Sequence, residues 1–195
     1  MDKKDRTGKP EKVRINEALA DRLFFAEHYQ LALQGVPESQ TIVGVFYENG
    51  KCVAPNYFKA RYWYQIAAKN GEANAQFHLG RMYDQGKGVR QDFVMAAEWY
   101  SKSAEQGNAR AQFNLGLMYE YGEGVARDYL EAAKWYRKAA EQGFSNAQFK
   151  IGRMYDQGKG IRQDPGKAAE WYEKAAKRGN ENARLYLKSR QWRPE

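Results

Sequence analysis

Between residues 73 and 107, apolar side chains recur at helical spacing, pause over a glycine-rich break, and then recur again. Ala75, Leu79, Met82 and Tyr83 share one face of a helix. Gly86 and Gly88 end that helix, because glycine adopts the left-handed conformation of a helix C-terminus without a Cβ penalty. Asp92 is placed to accept hydrogen bonds from the free N–H groups of a second helix. The apolar stripe of that helix is Ala96, Trp99, Tyr100 and Ala104, and Gly107 closes it. The pattern predicts two helices joined by a short turn.

The same pattern returns along the chain. Ala75-Gln76-Phe77 recurs as Ala111-Gln112-Phe113 and Ala147-Gln148-Phe149, an interval of 36 residues. Gly80, Gly116 and Gly152 keep this interval, as do Tyr83, Tyr119 and Tyr155, Trp99, Trp135 and Trp171, and Gly107, Gly143 and Gly179. A worn copy precedes them with Gly44, Tyr47, Gly50, Trp63, Tyr64 and Gly71. The second-helix caps are then Asn56, Asp92, Asp128 and Asp164, the last followed by Pro165, a residue favoured at the first helical position.

Four units follow, a degenerate one at 37–72 and full copies at 73–108, 109–144 and 145–180. A mid-helix glycine such as Gly80 costs about 1 kcal/mol in helix propensity. Its recurrence points to a close approach by a neighbouring helix. Residues 15–36, ending at Gly35, read as the second half of a missing unit. Residues 181–195, with Ala183, Leu185, Tyr186 and Leu187, read as a closing helix. Both serve as the atypical caps an open-ended stack requires, and residues 1–14 are expected to form a flexible tail.

The string A-x-A-Q-F-x-L-G-x-M-Y-x-x-G-x-G-V from Ala73 to Val89, followed by Asp92, Ala96-Ala97, Trp99-Tyr100 and Gly107, closely resembles the Sel-one-like repeat, a relative of the tetratricopeptide repeat. The resemblance covers residues 37–180 and implies an all-α fold, an α/α superhelical solenoid of helix-turn-helix repeats. It implies that the first helices line a concave surface and that the protein acts as an adaptor. Some cysteine-rich bacterial members are linked to cell-wall substrates and staple their helix pairs with disulfides. Cys52 is the single cysteine here, so a hydrolase acting on such substrates ranks last among the readings.

The net charge of +8 raises nucleic acid or an acidic protein as a partner. Its distribution argues against the first. Units 73–108 and 109–144 are neutral, with 4 basic and 4 acidic residues in one and 5 of each in the other, whereas 145–180 carries 8 basic and 4 acidic residues. The excess sits at a basic end comprising Lys174, Lys177, Arg178, Arg184 and Lys188. A continuous basic stripe is missing, which favours protein over nucleic acid. No long apolar run or signal-peptide core is present, and the expected compartment is the cytoplasm, with no membrane contact.

Catalytic and metal signals are weak. Gly86-Lys87-Gly88 and Gly158-Lys159-Gly160 lack the further glycine and the Ser or Thr of a phosphate loop, and read as turns. His28 and His78 stand without a recurring carboxylate, serine or cysteine partner, and Cys52 takes the place of a loop glycine without a neighbouring base. No enzyme activity, cofactor, metal or small-molecule substrate is expected.

A second stripe on the first helices points away from Leu79 and Tyr83. It comprises Phe77, Arg81 and Gln85 in one unit, Phe113, Leu117 and Tyr121 in the next, and Phe149, Arg153 and Gln157 in the third. Asp84, Glu120 and Asp156 belong to the same stripe; alternatively the phenylalanines pack between units and Arg81 and Arg153 pair with Asp84 and Asp156 on their own helices. By analogy with the family's geometry this stripe faces the groove and binds a peptide or protein surface. Association of nucleic acid or an acidic partner with the basic end is the alternative.

Overall fold

The computed structural model describes residues 11–189, with side chains from residue 17 onward. Ten α-helices lie in this range: α1 (Glu11–Leu33), α2 (Pro37–Asn49), α3 (Tyr57–Lys69), α4 (Ala73–Gln85), α5 (Phe93–Glu105), α6 (Ala109–Tyr121), α7 (Tyr129–Glu141), α8 (Ser145–Gln157), α9 (Pro165–Lys177) and α10 (Glu181–Ser189). Each packs against its neighbours in the chain, giving four helix pairs, α2–α3 to α8–α9, between two flanking helices. The architecture is the α/α superhelical solenoid. Helix α1 begins at Glu11, ahead of the expected Ile15, and residues 1–10 lie outside the described residues.

The caps explain where the second helices start. Asn56, Asp92, Asp128 and Asp164 are all extended and accept from backbone N–H groups two or three residues on. Such a cap is worth about 1 kcal/mol. The first helices α2, α4, α6 and α8 end at Gly50, Gly86, Gly122 and Gly158, all left-handed.

The core is a stack of tyrosines. Tyr64, Tyr100, Tyr136 and Tyr172, one from each second helix, are among the largest fully buried side chains. Each lies against the mid-helix glycine of its own unit: a Cβ on Gly44, Gly80, Gly116 or Gly152 would come within 2.5 to 2.9 Å of the ring. The recurrent glycines therefore provide the room for the tyrosines. Trp99, Trp135 and Trp171 are only half-buried, and Lys102, Lys138 and Lys174 stand 4.4, 4.1 and 4.4 Å from their ring centroids.

Buried glutamines stitch consecutive units together. Gln76, Gln112 and Gln148 donate to the carbonyls of Ala68, Ala104 and Ala140 near the end of the preceding second helix, at 3.3, 3.0 and 3.1 Å. Gln40 donates to Ala32 of α1 in the same way at 3.2 Å. The C-terminal half of α1 thus occupies the place of a second helix.

The turns differ in one instructive place. Gly124 has φ 70°, and a Cβ there would lie 2.0 Å from the carbonyl oxygen of Phe93, at the start of the preceding second helix. Cys52 holds the equivalent position in the first pair with φ 63°, its side chain exposed. There the preceding element is α1, continuous from Glu11 to Leu33, so no helix start crowds the loop and a side chain is accommodated.

Candidate interaction face

On the first helices, one carboxylate per unit stands four residues after the packing glycine: Glu48, Asp84, Glu120 and Asp156. The buried tyrosines reach three of them. Tyr64 donates to Glu48 at 2.7 Å, Tyr100 to Asp84 at 3.2 Å and Tyr136 to Glu120 at 2.6 Å. At the last rung Tyr186 of α10 donates to Asp156, and its ring lies 4.3 Å from that of Tyr172. A column of acid–phenol contacts therefore runs along the first helices, continued from unit to unit by residues of the following pair.

The following pair also supplies cations, unequally. Glu48, only 8% exposed, receives Arg81 and lies 3.5 Å from the Nδ1 atom of His78, whose ring stacks on Tyr64 with centroids 4.7 Å apart. Burial alone would push the Glu48 carboxyl up, but hydrogen bonds from His78 and Tyr64 and the charge of Arg81 outweigh it and hold the group at about 2. Glu120 is met by Lys150 at 2.9 Å. At Asp84 the equivalent positions are Asn114 and Leu117, and among the described residues no cation pairs with its carboxylate. Burial accordingly holds the Asp84 carboxyl above its ordinary value, opposed only by the Tyr100 hydrogen bond.

The stripe read from the sequence divides into packing and surface. Phe77 corrects the expectation of a partner contact: it is 6% exposed, and its ring packs against Tyr100 and His78. Phe113 is half-buried against Tyr136 and Phe144, Phe149 lies against Tyr172, and Leu117 is partly covered by the same cluster as Phe113. Arg81 pairs backward with Glu48 rather than with Asp84 on its own helix. Arg153 is half-buried, and Gln85 and Gln157 are exposed. Tyr121 is 60% exposed, with the Lys150 amine 5.2 Å from its ring centroid.

At the basic end Lys174, Lys177 and Arg178 line one cleft with Glu141 and Trp171. Arg184 pairs with Glu181 on its own helix, and Lys188 is exposed on α10. The more distal Arg190 and Arg193 lie outside the described residues. His28 is half-buried, its Nδ1 atom 3.0 Å from the Ser39 hydroxyl. Among the described residues no group of three or more His, Cys, Asp or Glu side chains could hold a metal ion, and no helix is long and apolar enough to cross a membrane.

Sequence reasoning passed over Glu48 and Lys150, and His78, read as standing without a carboxylate partner, lies 3.5 Å from Glu48. The signal was available as a carboxylate recurring every 36 residues, with a tyrosine sixteen positions later. Its cross-unit partners at +30 and +33 lie beyond the reach of any single-helix pattern.

Comparison with known proteins matches this frame. A family model described as Sel1 repeat matches residues 37–72, 73–108, 109–144 and 145–180. The chain is similar to a protective antigen present in uropathogenic Escherichia coli strains that displays an SLR fold, at 37% identity and TM-score 0.80, covering 84% of this chain and 35% of that one. It is also similar to a Sel1 repeat protein from Oxalobacter formigenes, at 35% identity and TM-score 0.80, covering 87% of this chain and 49% of that one. The chain thus spans a third to a half of the length of these two proteins. Helicobacter pylori cysteine rich protein B shares the fold at 24% identity and TM-score 0.52, over 65% of this chain and 96% of that one. No match was found among curated proteins.

Proposed function

The chain belongs to the Sel1 repeat family, whose members generally act as protein-interaction scaffolds, and we propose that it is a non-enzymatic adaptor in the cytoplasm that binds a peptide or protein surface on the face of its first helices. The observation that carries this reading is variation on a constant frame. Between units the packing glycine, the buried tyrosine and a capping Asn or Asp are retained. On the adjoining face, by contrast, Arg81 and Arg153 flank Leu117, and Gln85 and Gln157 flank the exposed Tyr121. Sequence that changes where the fold does not require it is where a repeat protein encodes a partner. Aromatic and arginine side chains are also those that most often dominate interface energies.

A photo-crosslinking amino acid placed at position 121 tests the reading. In the source organism it should capture a protein that the same group at position 94, exposed on the second helix α5, does not. Tyr121→Ala should weaken binding of that protein by at least about 1 kcal/mol with little change in stability. Tyr119→Ala, whose side chain packs against two core clusters, should instead destabilise the fold by about 2 to 4 kcal/mol. Equal labelling from both positions, or an unfolded Tyr121→Ala protein, would remove the basis for placing the partner on this face.

A further inference from the structure

The acid column is closed internally at some rungs and open at another. Glu48 has Arg81 and His78, and Glu120 has Lys150, so each of these largely covered carboxylates is compensated by the unit that follows. Asp84 has the same place on its helix and the same tyrosine donor, yet the positions equivalent to His78 and Arg81 in the following unit are Asn114 and Leu117. Leu117 occupies the position from which Arg81 reaches Glu48. A carboxylate shielded from water by its neighbours and left without a counter-charge is costly, and a cation brought to it recovers that cost on binding.

We infer that Asp84 is the seat for a lysine or arginine side chain of the bound polypeptide, whose charged head pairs with the carboxylate while its aliphatic stem lies on Leu117. The inference rests on the proposed adaptor function and names the chemistry of its partner at one position. The two features belong together, since replacing the repeated arginine by leucine both vacates the cation's place and supplies an apolar surface for the stem. Tyr121, exposed on the same helix as Leu117, extends that surface. Of the charged and titratable groups near the seat, Tyr100 donates to Asp84, Arg81 is engaged by Glu48, and Lys150, beside Tyr121, is engaged by Glu120; none fills it.

Selection of a random peptide library, of about twelve residues per peptide, on the full-length protein tests this, with Tyr121→Ala as the counter-selection that confines hits to the face. The selected peptides should be enriched in Lys or Arg, and replacing that residue by norleucine, which keeps the stem and removes the charge, should weaken binding about tenfold, the scale of a lost charge-assisted hydrogen bond. Asp84→Asn should weaken the parent peptide by the same factor and become indifferent to the norleucine replacement. Leu117→Arg, which supplies the cation from within as Arg81 does for Glu48, should also weaken it. Peptides that need Tyr121 but carry no basic enrichment, or that bind Asp84→Asn unchanged, would overturn the seat and leave the adaptor reading standing. Failure to select any peptide dependent on Tyr121 would overturn both.

Discussion

Gly116 and Tyr136 are in contact so close that a methyl group on the glycine would lie 2.7 Å from the ring carbons Cδ1 and Cε1. Tyr136 is completely buried and its hydroxyl is fixed on Glu120, so the ring has no direction in which to yield. Gly116→Val should therefore lower stability by about 1 to 3 kcal/mol, the usual cost of overpacking. Urea unfolding followed by circular dichroism measures it. A loss below about 0.5 kcal/mol, within the range of ordinary surface substitutions, would show that the stack can relax around the added volume.

Glu48 and Asp84, alike in position, should respond to pH in opposite senses. The Glu48 carboxyl titrates at about 2 in the folded protein against an ordinary 4.5, so the folded state binds fewer protons. Its contribution is present above pH 4.5 and lost as pH falls toward 2. Glu48→Gln should cost roughly 3 kcal/mol at pH 7, and the gap to the parent protein should narrow on acidification. Asp84 is shifted up from 3.8, so the stability it contributes is present below that value and lost as pH rises through its raised value. Asp84→Asn should raise the unfolding midpoint at pH 7 and change it little at pH 3. Parallel urea titrations at both pH values decide the matter; if the two variants moved together, the difference in counter-charge between the rungs would not govern their energetics.

Cys52 and Gly124 share a backbone conformation but should tolerate substitution differently. Cys52→Gly relieves a side chain held at φ 63° and should stabilise by a few tenths to about 1 kcal/mol. Gly124→Ala places a methyl group 2.0 Å from the Phe93 carbonyl oxygen and should destabilise by several times that amount. Thermal unfolding of both variants compares them. Equal and opposite small effects would mean that only the dihedral matters and that the preceding helix start imposes nothing.

Much of the fold was legible because its determinants are local or strictly periodic. The capping carboxylates, the left-handed glycines and the mid-helix glycines each recur at one interval and act within a few residues of themselves. The interaction face was less legible. Helical spacing places Phe77 beside Arg81 on one face, yet it carries no information about how much of that face the adjoining helices cover, and Phe77 proves to be core. Arg81 had Asp84 within reach along its own helix, and only the stacking of α4 on the preceding pair shows that Glu48 is its partner. Trp99 looked as apolar as Tyr100, but the tyrosine is fully buried, whereas the indole is half-buried and lies beneath Lys102.

The buried glutamines give the four junctions from α1–α2 to α7–α8 the same chemical signature, an amide meeting an alanine carbonyl eight residues earlier. At this contact one repeat can therefore succeed another. Excision of residues 73–108 would bring Gln112 to the carbonyl of Ala68 in place of Ala104, although Glu48 would exchange Arg81 and His78 for Leu117 and Asn114 and lose its counter-charge. Duplication of the same segment would add a junction already present elsewhere. Recombination between copies can thus lengthen or shorten this protein in whole units, and the reach of the surface it offers becomes a heritable quantity counted in steps of 36 residues.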